Sequence, residues 1–261
     1  VGELTKSDRE AVRLLYAYYD CENLIARRNG RERHNPLGNL SEQEVADVFE
    51  NRNYAHLSEC VAKVVKNYVE AEDEDRDDDV ALTDSFEHAL FEAYYTDLAK
   101  SKCSFLVGWG SFDRNLRNIA AAIAAREAGR VVKDVTVGGG EIVEQLSRSS
   151  AADFGLRGEL PYIDAVIAAV SDEKNIVEKE RKIDAIRWSE AEEIAVFEAK
   201  DNTSAKKVLE KLNEYVGNKR DGILITNVYR FKLNVTEIRI GNACGLACSL
   251  RIIAHALTIV I

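Results

Sequence analysis

Apolar side chains recur every three or four residues from residue 7 to about residue 216, and this period constrains the fold more than any other feature of the chain. The pattern is clear in Val12, Leu15 and Tyr19, and again between Leu116 and Ile123. Each helix with this period has one apolar face, which must be buried against its neighbours. The sequence therefore predicts a mainly α fold, a multi-helix bundle-like array with a possible short β segment near the C-terminus.

Capping signals mark where two of these helices begin. Ser7 with Glu10, and Ser41 with Glu44, have the spacing of a capping box, in which each side chain bonds the backbone N–H of the other residue. We therefore expect a first amphipathic helix that begins at Ser7 and a shorter one that begins at Ser41.

Glycines predict two helix ends further along the chain. The helix that begins after Asp84 is expected to end near Gly108–Gly110, because glycine usually interrupts helices. The alanine-rich helix that contains Leu116 is expected to end at Gly129, and its small residues allow a neighbouring helix to approach closely.

An acidic block between residues 70 and 79 separates two helical parts. The block lacks the central glycine and the spaced terminal glutamate of an EF-hand loop, so a solvated linker is favoured over a calcium site. The predicted division is an N-terminal helical part at 1–70, an acidic linker at 71–83, a main helical part at 84–216 and an apolar tail at 217–261.

The tail has a pattern of its own. Apolar and polar residues alternate from Tyr229 to Thr236, which predicts a strand. Residues 244–261 are strongly apolar, but Arg251 and His255 interrupt them. A buried strand or helix is therefore favoured over a membrane span.

Composition excludes several classes of protein. Hydrophobic residues make up 46% of the chain and charged residues 31%, which is typical of a folded globular protein. The formal net charge of −10 argues against a dominant nucleic-acid surface. The five cysteines lack the spacing of a zinc site, so we expect reduced thiols and no bound metal. Reduced thiols are typical of a cytoplasmic protein. We also expect no cofactor.

Three glycines at 138–140 precede a predicted helix, where backbone N–H groups can hold an anion. Neither a P-loop nor a dinucleotide fingerprint accompanies them, so a turn between helices is favoured. The alternative is an enzyme that binds a small anionic ligand at the 138–141 loop, with His88 or Asp113 as the base.

A polar cluster lies in the alanine-rich helix and consists of Asp113, Arg114, Asn115 and Arg117. Such groups are costly to bury unless they have partners. The cluster is therefore either a salt-bridge network inside the chain or a docking surface for another protein.

A second charged segment lies at 176–188 and contains Lys179, Arg181 and Lys182 among several acids. A solvated helix face with pairs between residues four apart is the common explanation of such a segment. Contact with a partner protein is the alternative.

Five ordered segments resemble a known family. They are YAYYDCENL at 16–24, NLSEQEV at 39–45, FDRNLRNIAAAIAARE at 112–127, SSAADFGLRGEL at 149–160 and EKERKIDAIRW at 178–188. The combination resembles a bacterial family of uncharacterised proteins whose genes accompany those of V-type ATPase subunits, over about residues 7–197. That family is similar to the all-helical V-type ATPase component that seats the central stalk on the membrane rotor ring. The similarity lies in Asp113, Asn115 and Leu116, followed by small residues and Gly129.

The resemblance implies an all-helical, non-catalytic subunit or accessory protein that connects the central stalk of the ATPase to its membrane rotor ring. Its partners would be other ATPase subunits, and it would be cytoplasmic and peripheral to the inner membrane through them, without a span of its own. The two charged segments supply the residues that we expect to contact these partners: Asp113, Arg114, Asn115, Arg117, Lys179, Arg181 and Lys182. A regulatory helical protein with a transient partner is a further alternative.

Overall fold

The computed structural model describes residues 5–73, 85–171 and 175–200, and the regular structure of these residues is helical throughout. The mainly α fold is thus confirmed, with eight α-helices and one short 3₁₀ turn at Val132–Asp134. The helices are α1 (Lys6–Arg28), α2 (Glu42–Glu50), α3 (Glu59–Asp73), α4 (Phe86–Ala99), α5 (Ser104–Glu127), α6 (Glu141–Arg148), α7 (Ile163–Val170) and α8 (Ile176–Lys200).

The two predicted capping boxes have different outcomes. The box at Ser41 is present, because the Glu44 N–H donates to Ser41 Oγ and Glu44 Oε2 accepts from the Ser41 N–H at 2.8 Å. The box at Ser7 is wrong. Helix α1 begins one residue earlier, and its cap is Thr5, whose hydroxyl accepts from the Asp8 N–H at 3.2 Å.

Helices α4 and α5 form the centre of the molecule. Helix α5 packs against α4, α6, α7 and α8, while α4 also packs against α1 and α3. Their inward side chains belong to one hydrophobic core that includes residues of every described helix, with Leu90, Leu98, Phe105 and Ile119 fully buried. The described parts of the predicted segments 1–70 and 84–216 therefore share a single core.

Gly108 and Gly110 lie inside α5, so the helix end predicted there is wrong. Helix α4 ends ahead of them at Ala99. A Cβ atom at Gly108 would lie 3.1 Å from a methyl carbon of Ile194, and one at Gly110 would lie 2.9 Å from Leu98. Glycine occurs inside the helix at these two positions because a residue without a side chain lets α8 and α4 approach the α5 backbone closely.

The loop between α1 and α2 is fixed to α1 by side chains of α1. Asp20 accepts from the Leu40 N–H at 3.0 Å and from the Asn39 amide at 2.7 Å. The side-chain amide of Asn23 bonds both backbone groups of Asn35 at 2.6 and 3.0 Å. Because these bonds satisfy buried polar groups, the loop is held in one position without regular structure.

Among the described helices, none combines the length and the apolar character that crossing a bilayer requires. Most of the predicted acidic linker at 71–83, the strand predicted between Tyr229 and Thr236 and the whole tail at 217–261 lie outside the described residues.

Replacing Gly110 by alanine is expected to lower the free energy of unfolding by about 1–3 kcal/mol, because overpacking against Leu98 outweighs the gain in helix propensity. Urea unfolding followed by circular dichroism measures the change. The matched control is Gly158→Ala, since no atom lies within 4 Å of a Cβ at Gly158. A Gly110→Ala variant as stable as the wild type would contradict the close α4–α5 contact.

Candidate functional site

The predicted polar cluster in α5 is centred on a buried carboxylate. Asp113 is 5% exposed and lies on the face of α5 that packs against α4 and α8. Its Oδ2 accepts from Arg117 Nε at 2.9 Å and from the Tyr95 hydroxyl at 2.8 Å, while Arg187 Nε lies 3.8 Å from Oδ1. Both oxygens of Asp113 therefore face groups of the same chain.

Arg117 extends this arrangement to α1. Its Nη1 donates to the Tyr18 hydroxyl at 2.7 Å, and its guanidinium carbon lies 4.1 Å from the centre of the Tyr18 ring. We call Asp113, Arg117 and Arg187, with Tyr18 and Tyr95, the Asp113 cluster. It connects α1, α4 and α5 through charge-assisted hydrogen bonds and a cation–π contact, and α8 through the ion pair between Arg187 and Asp113.

Electrostatics keep the Asp113 cluster charged. Burial alone would raise the pKa of Asp113, but the guanidinium groups of Arg117 and Arg187 and the donated hydrogen bonds hold it below its ordinary value. Burial opposes the charge of Arg117 as well, yet Asp113 raises the pKa of Arg117 well above its ordinary value. Asp184 lies 3.4 Å from Arg187 Nη1 and supplies a second carboxylate at the edge of the cluster.

The other two residues predicted in this polar cluster lie beside the Asp113 cluster. Asn115 is 7% exposed, and its Oδ1 is buried without a hydrogen-bond partner in the described structure. Arg114 lies against the loop ahead of α6, where its Nη1 would be 3.2 Å from a Cβ on Gly138. The structure thus places Asp113 and Arg117 in a network inside the chain, and partner contact by these four residues stays a prediction.

The three basic residues predicted on α8 lie nearer the solvent. Arg181 is exposed and pairs with Glu178 at 3.3 Å, while Lys179 and Lys182 are partly exposed. Exposed pairs of this kind contribute little to stability, so these side chains can contact a partner at low cost to the fold.

The glycines at 138–140 form the turn that enters α6. Gly138 and Gly140 have φ angles of +80° and +103°, which favour glycine, and Gly140 is the N-cap of α6. The first turn of α6 carries Glu141 and Glu144, whose charges occupy the positive end of the helix dipole and repel an anion.

The two candidate bases for an enzyme have other partners in the structure. A ring nitrogen of His88 lies 2.9 Å from the Thr136 carbonyl oxygen, which helps to hold the loop ahead of α6. Asp113 is engaged by Arg117 and Tyr95, and a carboxylate with a lowered pKa is the reverse of what a base needs near neutral pH.

Sequence reasoning missed three residues of the Asp113 cluster: Tyr18, Tyr95 and Arg187. Tyr18 and Arg187 lie in segments that carry the family resemblance, but no local pattern gives Tyr18 a role. One usable signal exists, because Arg187 follows Ile183 by four residues and therefore shares the buried face of α8. A charge on an apolar helix face indicates a buried partner.

Comparison with known proteins gives one result on family membership. A family model with the description "Protein of unknown function (DUF2764)" matches residues 2–216. The chain belongs to this family. The matched residues cover every described helix and stop ahead of the apolar tail. No curated protein and no solved structure matches the chain.

Replacing Asp113 by asparagine is expected to lower the free energy of unfolding by about 1.5–3 kcal/mol, because the partly exposed guanidinium groups of Arg117 and Arg187 lose the buried carboxylate that they share. Urea unfolding measures the change. The matched control is Asp164→Asn, whose partner Arg157 is 68% exposed. The control should change stability by less than about 0.5 kcal/mol, and an equally small effect at Asp113 would contradict the role of the cluster.

Acid is expected to remove the contribution of Asp113 to stability. Its pKa in the folded protein lies below the ordinary value of 3.8, so the charged carboxylate stabilises the fold above that pH. This contribution is lost as the pH falls through the folded pKa. The gap in unfolding free energy between wild type and Asp113→Asn should therefore stay constant near neutrality and narrow below pH 3.8. Urea titrations at several pH values test this, and a gap that widens in acid would count against it.

Proposed function

We propose that the protein is a non-catalytic subunit or accessory protein of a V-type ATPase, where it connects the central stalk to the membrane rotor ring. The link to the ATPase is supported by the resemblance of the five ordered segments. The mechanical role is supported by the way the helices are held together.

The observation that carries the mechanical role is the Asp113 cluster. It joins α1, α4, α5 and α8, so moving any one of these helices breaks a contact of the buried Asp113 carboxylate or of its partner Arg117. Breaking a buried ion pair costs several times more than breaking an exposed one. A connector in a rotary machine must transmit force without yielding, and a body joined in this way meets that need.

The segments that carry the resemblance supply many of the groups that fix the helices. YAYYDCENL contributes Tyr18 to the Asp113 cluster, together with Asp20 and Asn23, which hold the loop after α1. FDRNLRN contributes Asp113 and Arg117. These segments therefore encode a rigid framework of helices, which suits a protein that acts by binding other proteins.

Helix α8 offers the contact surface that we propose for the ATPase. Lys179 and Arg181 are accessible, whereas Arg117 is committed to the Asp113 cluster. Charge reversal at Arg117 would damage the fold and give no information on partners. Charge reversal on α8 separates binding from folding.

Co-purification from detergent-solubilised native membranes tests the proposal. The affinity-tagged wild type should recover stalk and ring subunits of the ATPase, identified by mass spectrometry. The variant Lys179→Glu/Arg181→Glu should recover at least about fivefold less, because interface charges govern association and partner choice.

The matched control is Arg130→Glu/Arg148→Glu, which makes the same charge change at two exposed sites and should recover as much as the wild type. Recovery of no ATPase subunits by the wild type would contradict the proposed function. Equal recovery by the α8 variant would contradict the contact surface only.

A further inference from the structure

A cleft of about 240 Å³ lies between α1, the loop that follows it and α4. Ile25 and Tyr18 from α1 and Phe91 from α4 form an apolar and aromatic part of its lining, beside the polar side chains of Asn23 and Asn35. Arg31 and Arg33 from the loop are exposed and lie at the opening. The cleft thus combines an apolar and aromatic patch with polar side chains and two guanidinium groups.

The loop presents these arginines from a fixed position. Asn35, two residues after Arg33, is bonded to the Asn23 side chain through both its N–H and its carbonyl. Gly38 lies so close to α1 that a Cβ there would be 2.7 Å from Asp20 Oδ1. Because the loop is anchored, binding a ligand would cost little ordering of the backbone.

Neither Arg31 nor Arg33 forms an ion pair within the described part of the chain, in contrast to the arginines just before them. Arg27 pairs with Glu50 at 2.5 Å, and the Arg28 guanidinium lies 4.4 Å from the Phe86 ring centre. The two charges at the opening of the cleft are therefore available to a partner.

Two acids also line the cleft, and each is engaged by its own surroundings. Glu22 accepts from the Asn35 side-chain amide at 3.2 Å. Glu87 lies in the first turn of α4, where the helix dipole favours a negative charge. Neither neutralises Arg31 or Arg33 by an ion pair in the described structure.

We propose that this cleft is a docking site for an acidic segment of a partner protein, with carboxylates bound by Arg31 and Arg33 and an apolar side chain inserted against Tyr18 and Phe91. Guanidinium groups bind carboxylates with two parallel hydrogen bonds, which favours an acidic peptide. A nucleic acid is disfavoured, because its binding depends on broad basic surfaces and this cleft presents two arginines beside two acids.

The position of the cleft links it to the Asp113 cluster. Tyr18 lines the cleft, and its hydroxyl accepts a hydrogen bond from Arg117. A partner segment in the cleft therefore rests directly on the side chain that joins α1 to α5. This docking site lies on different helices from the α8 surface and does not depend on the proposed function.

Fluorescence anisotropy with two synthetic peptides tests the inference. The probe is a labelled twelve-residue peptide of alternating glutamate and leucine pairs, and the comparison peptide has glutamine in place of every glutamate. The wild type should bind the glutamate peptide at least about tenfold more tightly than the glutamine peptide, and added salt should weaken this binding. The variant Arg31→Gln/Arg33→Gln should lose at least about tenfold in affinity for the glutamate peptide.

The matched control is Arg9→Gln/Arg130→Gln, which removes two exposed charges elsewhere and should bind like the wild type. Circular dichroism checks that both variants are folded. Absence of glutamate-peptide binding, equal binding of the two peptides, or equal affinity of the cleft variant would each overturn the inference. Tighter binding of a single-stranded RNA than of the peptide would also overturn it. Failure of ATPase co-purification leaves this assay unaffected, so the two proposals fail separately.

Discussion

The pairing of one buried aspartate with two arginines determines how the helices of this protein are arranged. Asp113 meets Arg117 on its own helix, Arg187 on α8 and the Tyr95 hydroxyl on α4. An unpaired charge inside a protein costs several kcal/mol, about as much as a small domain's whole stability margin. Each helix must therefore bring its group to the same place, and packing alternatives that separate these groups are excluded.

The glycines of α5 make this arrangement of charged groups possible. Gly108 and Gly110 let α8 and α4 come close to α5, which brings Arg187 and Tyr95 within reach of Asp113. On the far side of α1, Asp20 and Asn23 use hydrogen bonds to hold the next loop. Helix α1 thus supplies Tyr18 to the Asp113 cluster, and it supplies Asp20 and Asn23 to the loop that carries Arg31 and Arg33.

Local signals in the sequence predicted the parts of this structure that depend on neighbouring residues. The periodicity predicted the helices, and the capping box at Ser41 predicted the start of α2 closely, since both ends of the box lie within one turn. Asp113 and Arg117 were predicted to belong to one polar cluster, and their spacing of four residues corresponds to about one helical turn. The bond from Arg117 to Tyr18 was not predicted, since 99 positions separate the two residues in the chain. The helix end predicted at Gly108–Gly110 was wrong for a similar reason. These glycines are explained by contacts with α8 and α4, and no local pattern in the sequence shows such contacts.

Hydrogen exchange of the native protein tests the central claim that the Asp113 cluster joins the helices into one mechanical unit. Core amides of α1, α4, α5 and α8, such as those of Leu24, Leu98, Leu116 and Ile183, should exchange only through global unfolding and so give one common free energy of opening. An α1 or α8 that opens on its own, several kcal/mol below α5, would contradict the account.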